Sequence, residues 1–324
     1  MKHNFLYLSS CPICTNKQFS PFHKIDWMDE SFSWSKCNYC CIIFMNPVPS
    51  FESYKIFYKQ YFWEILSTAK KDMKDDKNID LNDKGLQDYQ KHTEKIMFQK
   101  RYLKMKKFFG DQLNQKKRVL EVGCSYGTNL KAIKEEYSSE VFGIEPSDFI
   151  KDSIKRDNIG INIIASYMEE MYSKDDYNNF FDFIIFSHSL ENIVDQNKTL
   201  ISAKKMLKPN GKIYIDMCNL YWHNYTLNPF HPFAYTDTSL NNLLKLNDLN
   251  IVKSDFDKKP YNSLPMNFIF NFFKKRNPYI TVLVEPKSDK KSIIYEKNIE
   301  IKYKNAQRII SYKDNLAGML KKFE

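Results

Sequence analysis

The chain has 324 residues, 43% of them hydrophobic and 15% aromatic, with 49 basic against 39 acidic side chains and a net charge of +10. No run of eighteen apolar residues occurs and Met1–Ser10 has no apolar core, so neither a membrane span nor a secretory leader is expected and a cytoplasmic protein is. Only Arg101, Arg118, Arg156, Arg276 and Arg308 are arginines, the side chain best suited to phosphates and guanine edges; the lysine excess reads as solvated surface, which argues against nucleic acid as the main partner.

Residues 1–50 read as a cysteine-rich knob. Cys11-Pro12-Ile13-Cys14 and Cys37-Asn38-Tyr39-Cys40 form two C-x2-C pairs. Two residues between thiolates let each turn direct two sulfurs at one tetrahedral ion. Four thiolates leave no open position, so Cys11, Cys14, Cys37 and Cys40 predict a structural Zn²⁺. The leftover Cys41, Cys124 and Cys218 are an odd number for a disulfide scaffold, which points to a reducing compartment.

Residues 51–115 read as a helical lead-in. Its charged stretch over 70–84 is an exposed linker. Behind it, Tyr89, Ile96, Met97, Tyr102, Leu103 and Met105 recur at helical spacing.

Residues 116–324 alternate strands with helices. Strands are predicted at Arg118–Val122, Glu140–Glu145, Ile161–Ala165, Phe183–Phe186, Lys212–Met217, Ile251–Phe256 and Ile280–Glu285. Helices are expected from about Thr128 and Asp148, over Asn197–Leu207 and Ser239–Lys245, and over the tail from Asn305 to Glu324. Strand and helix in alternation predict an α/β fold: a Rossmann-like parallel sheet with helices on both faces.

The first strand runs into Gly123-Cys124-Ser125-Tyr126-Gly127 and then a helix. Such a turn aims backbone N–H groups at a ligand at the sheet's carboxyl edge. Gly123 permits the tight turn and Gly127 the close approach of the helix. Glu121 is placed to receive a ligand ammonium. Glu145, followed by Pro146, ends the second strand, where a carboxylate accepts from both ribose hydroxyls of a nucleoside. A dehydrogenase turn would carry the closer G-x-G-x-x-G spacing, which is missing here.

This segment resembles motif I of class I S-adenosylmethionine (SAM) methyltransferases, an acid-x-Gly-x-Gly-x-Gly pattern, with Ser125 in place of the middle glycine. Glu145 is similar to their ribose-binding acid. Ser166, Tyr167 and Met168 follow the third strand, where the family contacts adenine. Asp182 to Asn192, DFIIFSHSLEN, resembles their fourth motif, and Leu207-Lys208-Pro209-Asn210-Gly211-Lys212 their turn before strand five. The resemblance implies SAM as cofactor, held by Glu121, Gly123, Cys124, Ser125, Gly127, Glu145, Pro146, Ser166, Tyr167, Met168 and Ser187. The knob with Phe44-Met45-Asn46-Pro47-Val48-Pro49 and the aromatic run from Tyr54 to Phe62 resembles zinc-knob methyltransferases of bacterial sugar and surface-polysaccharide pathways. It implies a sugar, sugar-nucleotide or glycan acceptor, methylated at oxygen or carbon.

Histidine is the natural base near neutrality. His231, between Pro229 and Pro232, is similar to a catalytic loop histidine of the sugar enzymes, although Asn228 and Phe230 stand where those carry a tyrosine and a glutamate. His188, after strand four, and Tyr235 complete the catalytic candidates. Tyr221, Trp222 and His223 are expected to line the acceptor pocket. Two other readings are an RNA methyltransferase and a non-catalytic zinc-ribbon interaction protein. No Asn-Pro-Pro-Tyr-like tetrapeptide follows strand four, against base methylation, and the retained acids argue against decay. Met266 to Arg276, aromatic with a basic end, is a candidate for peripheral membrane contact, against a plain packing helix. No motif sets an oligomeric state.

Overall fold

A computed structural model describes residues 5–27, 30–56, 99–220, 226–256 and 279–287. The expected tail helix, the 70–84 linker, the aromatic run over 266–276 and Tyr221, Trp222 and His223 lie outside these residues.

The main sheet has seven strands: β6 (Arg118–Val122), β7 (Glu140–Ile144), β8 (Asn162–Ala165), β9 (Phe181–Ser187), β10 (Leu207–Cys218), β12 (Leu249–Ser254) and β13 (Tyr279–Pro286). Their order is β12-β13-β10-β9-β6-β7-β8. From β8 to β10 all neighbours run parallel. The strand predicted at 280–285 is present, but it runs antiparallel to both β10 and β12. The expected parallel sheet is thus mostly parallel. A short apolar run identifies a buried strand, but strand direction depends on the connection. β10 also begins earlier than expected, at Leu207, because the Leu207–Lys212 turn stays on the β9 ladder across an irregularity.

Side chains alternate across these strands and so build two cores. Leu120, Ile144, Ile184, Phe186, Ile213 and Ile215 face α5 (Gln196–Met206) and α6 (Asp237–Leu246). Val119, Val141, Phe183, Ile185 and Tyr214 face the other way. There they meet a helix over 99–109, α3 (Thr128–Tyr137) and α4 (Asp148–Arg156). In the 99–109 helix Met105 is buried, but Leu103, expected on the apolar face, is exposed. Caps fix where the helices start. Ser147 accepts from Ile150 N–H, Asp195 from Lys198 N–H, and Thr236 with Ser239 forms a reciprocal capping box.

The N-terminal segment forms an antiparallel sheet of β2 (Phe19–Trp27), β3 (Glu30–Cys37) and β4 (Ile43–Met45). Its fourth strand, β11 (Phe233–Ala234), comes from the loop after β10. Cys11, Cys37, Cys40 and Phe44 share one core with the main sheet. Among the described residues no helix is long and apolar enough to cross a membrane.

Candidate functional site

β6 lies between β7 and β9, so the chain winds outward in both directions from it. This switch point opens a crevice at the carboxyl ends of the strands. The glycine turn sits at its mouth. Gly123, Ser125 and Gly127 all have left-handed backbone, at φ 72°, 47° and 69°. A Cβ on Gly123 would meet Ser189 Cβ at 2.8 Å, and one on Gly127 would meet Ile161 Cδ1 at 2.1 Å. Glycine is thus required at both positions for conformation and for space. Ser125 carries the same conformation with a side chain, at a cost of about 1–2 kcal/mol.

The N–H groups of Gly123, Cys124, Ser125 and Gly127 are taken up within the protein. Those of Gly123 and Cys124 donate to Ile144 O at 2.8 and 3.1 Å. That of Ser125 donates to Glu145 Oε2 at 2.9 Å, and Ser147 N–H donates to Glu145 Oε1 at 2.8 Å. Buried amides need partners, and the tip of β7 supplies them. What the turn offers a ligand here is its shape and the Glu145 carboxylate. Glu121 is buried, and its Oε1 accepts from Asn129 Nδ2 at 2.8 Å. Asn129, on the first turn of α3, was not anticipated.

Glu145 and Pro146 lie beside the end of β8, since Glu145 N–H donates to Ala165 O. Ser166 Oγ accepts from Lys151 Nζ at 2.9 Å, and Met168 is buried. Tyr167 meets the edge of Phe51 with ring centroids 5.7 Å apart, and Lys55 Nζ lies 5.8 Å from the Tyr167 ring centre. The helix over 51–56 thus reaches the expected adenine end, which the sequence did not foretell.

Ser187 ends β9, and His188 follows with left-handed φ 54°. Its N–H donates to Asp216 O at 2.7 Å. Its ring lies between two carboxylates: Nδ1 is 3.7 Å from Glu191 Oε1 and Nε2 is 3.7 Å from Asp216 Oδ2. Cys218 Sγ is 3.6 Å from Nδ1. Burial pushes the Glu191 acid up to about 7 and also raises Asp216. Asp216 is held by Thr281 Oγ1, which donates at 2.7 Å, and by Lys104 Nζ at 3.4 Å, which also pairs with Asp255 at 2.8 Å. Glu191, Asp216 and Lys104 were absent from the expected site. A lone acid within the apolar run Ile213-Tyr214-Ile215-Asp216-Met217 was the available signal for Asp216.

His231 sits in a loop on the N-terminal sheet. Its Nδ1 is 3.0 Å from both Asn228 Nδ2 and Thr226 O. Asn228 Oδ1 accepts from Phe230 N–H at 2.8 Å, which turns its amide nitrogen toward the imidazole. A neutral ring can accept from Asn228 and a charged ring can donate to Thr226 O, so Nδ1 has a partner in either state. Tyr235 is 1% exposed and its hydroxyl points into the core. Its ring packs where β11 meets the main sheet.

In the knob, Cys11 and Cys40 sulfurs are 3.6 Å apart and those of Cys14 and Cys37 3.5 Å. A disulfide is about 2.0 Å, whereas sulfurs about 2.3 Å from one tetrahedral ion are about 3.8 Å apart. Asn197 Nδ2 donates to Ile13 O at 2.9 Å and Asn242 Nδ2 to Cys40 O at 3.0 Å, so α5 and α6 hold the cysteine turns.

A family described as a methyltransferase domain matches residues 89–254, just over half of the chain. The chain belongs to this family. The methyltransferase-domain chain is also similar to a ubiquinone biosynthesis O-methyltransferase of Bradyrhizobium diazoefficiens, 26% identical over 114 residues. That match covers 34% of this chain and 43% of the relative, so it spans less than half of the relative's length. A SAM-dependent methyltransferase of Aquifex aeolicus is 17% identical, with a TM-score of 0.43 over 56% of this chain and 88% of that one. One from Mesorhizobium loti is 14% identical, with a TM-score of 0.41 over 52% and 91%.

Proposed function

We propose that this chain transfers the methyl group of SAM to a small-molecule acceptor, with a sugar, sugar nucleotide or glycan as the leading class. The observation that carries the reading is the switch point between β6 and β9. On one side of it stand the glycine turn and Glu145, and on the other the His188 cluster. Glu145 would anchor the ribose, and Ser166, Tyr167 and Met168 would flank the adenine. The sulfonium is already electrophilic, so the protein's task is alignment, worth about 7–11 kcal/mol, and removal of one proton. At an acceptor hydroxyl, oxygen takes the methyl, sulfur keeps the electron pair, and a base takes the proton. His231 is the leading base: with Nδ1–H donating to Thr226 O, its Nε2 is left with the lone pair that takes the proton.

The sugar class rests on the resemblance of the knob and its following segment, and residues 1–50, 51–115 and 116–324 are read as knob, lead-in and catalytic domain. Cys11, Cys14, Cys37 and Cys40 fit a structural Zn²⁺ through their spacing and four sulfur donors. Calorimetry with SAM, followed by transfer of labelled methyl from SAM to a panel of sugar nucleotides and glycans, tests the reading. Saturable SAM binding and label on a sugar are expected. Absence of SAM binding would overturn the enzyme reading, and label only on other acceptors would overturn the sugar class.

A further inference from the structure

Two groups of metal-ligating side chains come together among the described residues. One is the four thiols of the knob. The other is His188, Glu191 and Cys218, whose ligand atoms all lie within 4.8 Å of one another. We propose that this second group is a mononuclear zinc site with three protein ligands and one open position on the crevice side.

The separations fit one small ion. His188 Nδ1 is 3.6 Å from Cys218 Sγ and 3.7 Å from Glu191 Oε1. Nitrogen and sulfur at ordinary zinc distances in a tetrahedron are about 3.6 Å apart, and nitrogen and oxygen about 3.4 Å apart. The two separations from His188 match these within a few tenths of an ångström, and Cys218 Sγ and the Glu191 oxygen, within 4.8 Å of each other, would close to about 3.6 Å around one ion.

Glu191 supplies the independent observation. It is 3% exposed, and no donor meets either carboxylate oxygen in full hydrogen-bond geometry; the backbone N–H groups of Glu191 and Cys218 and the charge of Arg101 support it only in part, since burial still raises its acid. An acid so deeply placed costs several kcal/mol unless a cation or donors satisfy it. No such cost is needed if its oxygen is a ligand. One carboxylate and one thiolate would balance the two charges of the ion, with neutral imidazole as third ligand.

The surroundings are those of a built site. The second nitrogen of a metal-bound histidine usually meets a carboxylate. His188 Nε2 faces Asp216 Oδ2 at 3.7 Å, and Asp216 is fixed by Thr281 and Lys104. His188 also holds a left-handed backbone, which costs energy and sets where its ring lies. The mixed nitrogen, oxygen and sulfur set favours zinc over magnesium or calcium, which take oxygen ligands. Three protein ligands with a vacant fourth position is the pattern of a zinc that binds a reactant. The His188 side chain, 15% exposed, is the solvent-facing member, so the open position lies on that edge. Its occupant would be an acceptor oxygen. That last assignment rests on the methyl-transfer reading; ion binding does not.

The test is zinc content of the full-length chain after dialysis, with SAM affinity measured on the same samples. Two equivalents per chain are expected. Cys218→Ala and Glu191→Gln should each hold one, and Cys37→Ser should lose the knob ion while keeping the other. Asp216→Asn should weaken the second equivalent by about 10–100-fold in a chelator competition. Glu191→Gln keeps the side-chain volume, so it supplies the answer if Cys218→Ala fails to fold. One equivalent in the parent that persists in both Cys218→Ala and Glu191→Gln would overturn the proposal. Two equivalents without SAM binding would leave the zinc site standing and remove the methyl-transfer reading.

Discussion

The indole N–H of Trp34 donates to the carbonyl of His231 at 3.1 Å, across 197 residues of sequence. It ties the N-terminal sheet to the loop that carries the leading catalytic base. His231→Ala should lower turnover by about 10²–10⁴-fold while SAM affinity holds. Trp34→Phe leaves the histidine but removes its anchor. It should cost about 1–2 kcal/mol of stability and lower turnover less than His231→Ala does. Steady-state kinetics with SAM calorimetry separates the two. Near-normal turnover in His231→Ala would return this histidine to a packing role and shift attention to His188.

Glu145, just past the end of β7, accepts from two backbone amides. Glu145→Ala should weaken SAM binding at least tenfold, since two charge-assisted hydrogen bonds to the ribose would be lost. It should also reduce stability by about 1–3 kcal/mol, because Ser125 and Ser147 lose their acceptor. Calorimetry and thermal unfolding read the two effects independently. Unchanged affinity would remove Glu145 from the cofactor site.

The knob shares its core with the main sheet, so it should not melt on its own. Cys37→Ser should lower the melting temperature of the whole chain in one transition. Differential scanning calorimetry distinguishes this from a knob that unfolds first. Two separated transitions, or a zinc-free parent protein of equal stability, would contradict the structural ion.

Asp182 is the second residue of β9, at the end of the strand away from the crevice. Burial raises its acid, but Arg118 N–H at 2.9 Å and Lys208 Nζ at 2.7 Å outweigh this and hold it below its ordinary value. The unfolded chain therefore binds this proton more readily than the folded one. Its contribution is present above the ordinary aspartate value of 3.8 and fades as pH falls through the lower folded value. Asp182→Asn should cost about 1 kcal/mol at neutral pH after allowing for solvent screening, with SAM binding unchanged. The gap from the parent should narrow in acid. Melting curves from pH 7 down to about pH 3 test this, and a gap independent of pH would exclude the ion pair as its cause.

Much of the catalytic domain was legible because it is local. Buried parallel strands such as Val119–Val122 and Phe183–Phe186 read as short apolar runs, and Gly123 and Gly127 mark a turn that another residue would strain. The C-x2-C pairs likewise state their own geometry. What the sequence alone determined is therefore the strand-turn-helix order, the two acids at strand tips and the four thiols. The tertiary structure decided relations between distant segments. It set β13 antiparallel, added β11 to the N-terminal sheet and drew Tyr235 into the core. It also gathered His188, Glu191, Asp216 and Cys218 from the ends of two strands. Each of these depends on which strands become neighbours, and that is settled by burying shared apolar faces rather than by the pattern within any one segment.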